Sequence, residues 1–277
     1  MSTEWDTRGE GQSVLWFPGF MESRAQILDQ LAVLATSYHV SVVPPRPLLT
    51  LQGTSEVARQ YMTANSMNTM HVLGTSSGTR AAMSFVMTHP HHVSSVYLVS
   101  PWLEPDRKAS DTFNSWNVAA ESSMSTEHLA HAVLSSMSSA RAHSDGVVDR
   151  WCQEYLDQFR DSAAARRDLS AQLLGLLQTG PKMNDLWRAI PTVIASGCED
   201  QILGDRHARR IWARIPLSKH EVVDSAGHLA HLEQPSRFWS SLRNFWSVLA
   251  AQHAATRWET GQAHDSLAPF TRMASMI

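Results

Sequence analysis

Short apolar runs separated by amphipathic stretches organise the first hundred residues. Ser13–Phe17 is apolar and closes at Pro18-Gly19, the pattern of a buried strand ending in a turn. Within Ala25–Thr36, residues Ile27, Leu28, Leu31 and Leu34 recur at helical spacing. His39–Val43 reads as a strand that stops at Pro44-Pro45, Ser55–Ala64 as a helix, and Met70–Leu73 as a strand running into Gly74. Ser77–Thr88 predicts a helix with Ala81, Ala82, Phe85 and Val86 grouped to one side, ended by His89-Pro90. Val93–Val99 is a strand closed by Pro101. This alternation predicts an α/β fold, with a mostly parallel central sheet flanked by crossover helices.

Between residues 102 and 187 the alternation stops, and a helical, Ser-, Ala-, Met- and Trp-rich stretch takes its place. It resumes with a strand at Pro191–Ala195, a helix at Arg206–Arg214, a strand at His220–Val223 and a last helix at Pro235–Ala250. The expected organisation is one α/β core in two parts, 1–101 and 188–256, interrupted by a helical insertion at 102–187 and followed by a patternless tail at 257–277. Residues 1–11 read as a loose polar arm. An insertion of about 85 residues is far longer than an idle connection requires.

Composition narrows the function classes. Hydrophobic residues make up 43% of the 277 positions and charged residues 18%, enough for a large core. A net charge of −3 argues against a nucleic-acid partner gripped by a broad basic surface. No apolar run approaches the roughly 18 residues of a membrane span. The acidic, polar start lacks a secretory pattern, and Cys152 and Cys198 make no disulfide framework. A cytoplasmic setting is therefore expected, with both cysteines as buried small hydrophobes.

With only 13 glycines in the chain, their positions are informative. Gly74-Thr75-Ser76-Ser77-Gly78 fits G-x-S-x-G, and it lies between a predicted strand and a predicted helix, the setting in which that motif presents a nucleophile. Its small neighbours permit the close backbone approach of a strained turn, and the Ser77 amide at the helix start can face a developing oxyanion. The alternative is that Ser76 or Ser77 caps an ordinary helix. A serine nucleophile needs a base and an orienting acid. Gly197-Cys198-Glu199-Asp200 and Ala226-Gly227-His228 follow two later strands, so Ser76, Asp200 and His228 are expected to converge on one sheet edge, in the chain order Ser…Asp…His.

In these features the chain resembles the α/β-hydrolase fold family over nearly its whole length, with the insertion where that family carries its cap. Val14-Leu-Trp-Phe-Pro-Gly-Phe20 resembles the family's first strand and oxyanion loop. The stretch from Ala226 to Pro235 resembles the run from the catalytic histidine into the last helix. The resemblance implies Ser76 as nucleophile, His228 as base, Asp200 as acid, and the Phe20 and Ser77 amides as oxyanion donors. The chain departs from the family pattern at Pro18, where a histidine is usual, in the segment 43–47, and at Thr79.

Competing signals are weaker. Glu104 and Asp106 are rival acids after the strand at Val93–Val99, with Glu199 and Asp205 as lesser ones. As metal ligands, the His228/His231 spacing and the group His89, His91 and His92 lack a matching set; surface histidines and helix C-terminal cations are the better reading, and no metal is expected. Trp102, Trp116, Met124, Met137, Trp151 and Trp187 offer large apolar surfaces to a substrate pocket; each also reads singly as core. The expected activity is cofactor-free hydrolysis of a small apolar ester or thioester through an acyl-enzyme. Lactone opening or cyclisation, acyl transfer and C–C cleavage by the same residues are alternatives, as is a non-catalytic ligand-binding protein.

Overall fold

The computed structural model describes residues 5–44 and 50–260. The segment 43–47 and the tail at 257–277 therefore fall partly outside the described residues. Seven strands form one sheet: β1 (Asp6–Arg8), β2 (Gln12–Phe17), β3 (Tyr38–Val42), β4 (Met70–Thr75), β5 (Val93–Val99), β6 (Thr192–Gly197) and β7 (Ser218–Val223). Their order is β1-β3-β2-β4-β5-β6-β7. Only β1 runs antiparallel, pairing Asp6 with Val42 and Arg8 with Val40 on the outer edge of β3. The polar arm expected at residues 1–11 thus contributes an edge strand, joined through its backbone, where charged side chains face solvent at no cost.

Helices α1 (Arg24–Leu34), α2 (Leu51–Ala64) and α3 (Gly78–Thr88) alternate with the first strands, and β5 leads into five consecutive helices. These are α4 (Arg107–Glu121), α5 (Thr126–Met137), α6 (Ala140–Ser144), α7 (Val147–Asp157) and α8 (Ser162–Leu176). The chain then adds α9 (Gly204–Trp212), the single turn α10 (Ala230–Glu233) and α11 (Pro235–Thr260), which runs ten residues past the end expected from periodicity. The Ser- and Asp-rich composition of the middle segment has a local reason. Asp106, Ser125, Ser139 and Asp161 each cap a helix by accepting an amide three residues on.

Alternating positions of the buried strands face opposite ways. Val14, Trp16, Leu73, Tyr97 and Val193 pack with α1 and α11 on one face, whereas Leu15, Val72, Val96, Leu98 and Ile194 pack with α2, α3 and α9 on the other. A third apolar cluster joins α4, α5, α7 and α8 to Phe20, Trp102, Leu203 and Leu229. Those four residues lie in the loops after β2, β5, β6 and β7, so the middle helices rest on the C-terminal edge of the sheet. That edge is where a parallel α/β sheet carries its ligands.

Candidate active site

The turn between β4 and α3 is tight for reasons written in its residues. Ser76 has φ +46°, a left-handed conformation that costs a non-glycine residue on the order of 1–3 kcal/mol. It is held by its amide donating to Val99 O at 2.9 Å and by Thr79 Oγ1 donating to Ser76 O at 2.6 Å. A Cβ on Gly78 would lie 2.2 Å from Phe17 O, so only glycine lets α3 begin this close to β2. Thr79, unusual at this position, is thereby part of what fixes the turn.

Ser76 Oγ lies 2.7 Å from His228 Nε2, and His228 Nδ1 lies 2.8 Å from Asp200 Oδ2. Asp200 Oδ1 accepts the Ile202 and Leu203 amides at 2.9 and 3.1 Å. Burial, the largest effect on Asp200, pushes its carboxyl upward. The neighbouring His228 ring and the two amides outweigh it, and the group stays below the ordinary carboxylate value. All three residues are buried. The His228 amide donates to Met137 O at 2.7 Å, Ser100 Oγ donates to His228 O at 2.7 Å, and the Trp102 ring stands 6.3 Å away.

Phe20 and Ser77 flank the turn, and among the described residues their amides donate to no protein acceptor. Both line a cleft of about 120 Å³, with Gly19, Arg80, Gln172 and Leu176. Arg80 is buried; it donates to the carbonyls of Gly175, Leu176 and Gln178 at the end of α8 and lies 5.5 Å over the Trp102 ring. Burial pushes its guanidinium down to about 10, which leaves it charged at neutral pH.

The six residues expected at a substrate pocket separate. Trp102 neighbours His228, Trp116 stacks on Phe20 at 6.2 Å, and Met137 and Trp151 are buried in the same cluster. Met124 is instead 43% exposed between α4 and α5. Trp187 packs among α3 and α9 and donates to Thr192 Oγ1 at 2.9 Å. It precedes β6, which puts it at the opposite sheet edge from the site. Apolar size alone could not tell these locations apart.

The rival acids are engaged elsewhere. Glu104 accepts the Gly180 amide at 2.9 Å, Asp106 caps α4 and pairs with Arg206 and His207, Glu199 accepts the Ala140 amide, and Asp205 pairs with Arg209 and His220. Expected at the surface, His231 is fully buried beside Glu22, at 3.2 Å. The sequence showed no signal for Glu22, a polar residue in an apolar loop. Cys152 is buried, as expected, and burial with the nearby Glu127 and Asp149 pushes its thiol up to about 11; Cys198 is exposed instead. Among the described residues no cluster of three metal-ligating side chains occurs, and no helix is long and apolar enough to cross a membrane.

These environments set an acid limit on stability. Burial holds His207 and His220 below the ordinary histidine value of 6.5. Asp106, bonded to Arg206, and Asp200 are held below the ordinary aspartate value of 3.8. In each case the unfolded chain binds more protons, so the contribution is complete above the ordinary value and is lost as pH falls through the folded one. Thermal unfolding followed from pH 8 to pH 3 is expected to show Tm declining below about pH 6.5 and more steeply below about pH 4. A Tm that rises on acidification from pH 7 to pH 5 would contradict this assignment.

Serine, histidine and aspartate thus stand together at the ends of β4, β7 and β6, on the sheet edge that the middle helices cover. The α/β-hydrolase fold family model matches residues 52–235, two thirds of the chain, and the protein belongs to that family. No curated protein sequence matches it. Among solved structures it is similar to a thermophilic esterase from Thermogutta terrifontis, with TM-score 0.72, 20% identity, and 89% of this chain and 93% of the other covered. A putative non-heme bromoperoxidase from Mycobacterium tuberculosis superposes with TM-score 0.74 at 19% identity over 90% and 97%. The enol-lactonase from Burkholderia xenovorans gives TM-score 0.71 at 15% identity over 88% and 96%. At these identities the likeness is one of fold.

Proposed function

We propose that the protein is a serine hydrolase of small esters or lactones. The observation that carries the reading is the continuous hydrogen-bonded line from Ser76 Oγ through His228 to Asp200, with both outer distances below 3 Å. His228 Nε2 takes the Ser76 proton as Oγ attacks the acyl carbon. Asp200 keeps the Nδ1–H tautomer and favours the imidazolium that forms. The tetrahedral oxyanion is received by the Phe20 and Ser77 amides, placed ahead of the charge they meet. Protonated His228 then delivers its proton to the leaving alcohol, and water, activated by the same ring, releases the acid.

The helices α4–α8 act in this account as the cap, and the cleft between the Phe20 loop and the end of α8 as the way in. The cleft, about 120 Å³, is lined by the two proposed oxyanion donors and not by Ser76 or His228, so it serves as a narrow approach to a buried triad, which favours compact substrates over long acyl chains. Its lining mixes Phe17, Val43 and Leu176 with Thr54, Gln172 and Arg80, so the substrate is read as short and partly polar. The lactonase-like alternative gains from the same compactness.

A panel of p-nitrophenyl esters from acetate to decanoate, run beside γ- and δ-lactones, tests this reading. The expected result is measurable turnover of the acetate or butyrate ester or of a lactone. The kcat/KM should fall at least about tenfold by the decanoate, the cost of forcing methylenes into a filled site. Absence of turnover across the whole panel by folded protein would favour a ligand-binding role.

A further inference from the structure

One buried carboxylate outside the Ser76–His228–Asp200 line touches three of the loops that build the site. Glu22 and His231 are both 0% exposed at the side chain, and Glu22 Oε1 lies 3.2 Å from His231 Nε2. The same oxygen accepts the Gly19 amide at 2.7 Å and the Thr75 hydroxyl at 2.5 Å. Gly19 immediately precedes Phe20, and Thr75 immediately precedes Ser76. His231 follows His228 by three residues, in α10. The loop after β2, the end of β4 and the loop after β7 therefore meet on a single oxygen atom.

The packing around Glu22 Oε1 is close, whereas Glu22 Oε2 and both His231 ring nitrogens are buried without a hydrogen bond among the described residues. A Cβ on Gly19 would lie 2.5 Å from Glu22 Oε1 and 2.9 Å from Ser76 Cβ, so the loop rests directly on the nucleophile turn. Trp16 Nε1 donates to the Thr75 hydroxyl at 3.4 Å, which leaves the hydroxyl proton to Glu22. Met21, between Phe20 and Glu22, has φ +59°, a strained link that the anchored carboxylate helps to hold. Burying a carboxylate is a poor source of stability compared with apolar contacts of the same volume, while the directed bonds from the Gly19 amide and the Thr75 hydroxyl to Glu22 Oε1 fix geometry. The family's usual histidine is replaced here by Pro18, which has no side-chain hydrogen bond to offer the loop.

We propose that Glu22, paired with His231, is a positioning residue that sets the Phe20 amide against the Ser76 hydroxyl by bonding Gly19 and Thr75 together. The inference rests on the serine-hydrolase reading. It assigns to Glu22 a part in oxyanion stabilisation without contact with substrate.

The test measures kcat, KM and Tm with p-nitrophenyl butyrate, and the inhibition constant of an alkyl boronic acid, whose serine adduct mimics the tetrahedral intermediate. For Glu22→Ala, kcat is expected to fall about 10²-fold with KM within a few-fold, the range seen when an oxyanion donor is lost. Boronic acid affinity should weaken in parallel with kcat/KM. Glu22→Gln, whose amide oxygen can accept the same two bonds, should recover most of the loss. Thr75→Val keeps the shape and removes the bond to Glu22 together with the long one from Trp16 Nε1, so a loss of about fivefold is expected. Should Glu22→Ala fail to fold, Glu22→Gln and Thr75→Val carry the test. A lowered Tm with kcat and boronate affinity unchanged per active site overturns the proposal and makes Glu22 purely structural. If the wild type neither hydrolyses esters nor binds the boronate, the serine-hydrolase reading fails first, and this inference with it.

Discussion

Replacement of Ser76 by alanine is expected to lower ester turnover about 10⁶-fold, the scale on which loss of a serine nucleophile is felt when its base and oxyanion donors remain. The substitution removes one hydroxyl and leaves the backbone bonds from Ser76 N to Val99 O and from Thr79 Oγ1 to Ser76 O in place. Alanine meets the same strain at φ +46° as serine, so Tm should stay within a few degrees of wild type. His228→Ala should be similarly severe, and the double variant little worse than either single one, because the two residues act as a unit. Additive losses would mean that Ser76 and His228 do separate things. Steady-state kinetics on purified variants, with Tm as the folding control, decides between these outcomes.

Asp200→Asn is expected to reduce kcat by about 10⁴-fold, since an amide facing His228 Nδ1 favours the wrong tautomer of the ring. The environment makes this variant a clean one. Asp200 Oδ1 is fixed by the Ile202 and Leu203 amides, and an asparagine oxygen can accept those bonds, which turns its NH₂ group toward His228. Glu104→Gln is the matched control, because the Glu104 carboxylate holds the Gly180 amide in the return from the helical segment and does not reach His228. A mild Asp200→Asn beside a severe Glu104→Gln would move the acid to the loop after β5.

The sheet was readable because buried parallel strands must be apolar on both faces. β2, β4, β5 and β6 carry runs that no surface segment would carry. Chain order then placed Ser76, Asp200 and His228 after strands whose ends share one edge, and the structure sets them in hydrogen-bond contact. What escaped the reading lacked such a pattern. β1 is three polar residues held to β3 by backbone pairing and one long side-chain bond from Thr7 to Ser41, none of which leaves an apolar pattern. Met124 and Trp187 look like any other large apolar residue, and only tertiary packing sends one to the surface and the other beneath the sheet. His231 and Glu22 are polar residues that water would ordinarily keep; each is buried because the other is there, and a partner 209 positions away leaves no local trace.

An activated Ser76 hydroxyl should react with electrophiles, and covalent labelling asks this without knowledge of the substrate. Folded protein treated with an alkyl fluorophosphonate, digested and analysed by mass spectrometry should carry the adduct on Ser76 alone. Labelling should fall sharply in His228→Ala, where the proton acceptor 2.7 Å from Ser76 Oγ is gone. Protein that remains unlabelled while folded, or that is labelled at another serine with Ser76 untouched, would contradict the account.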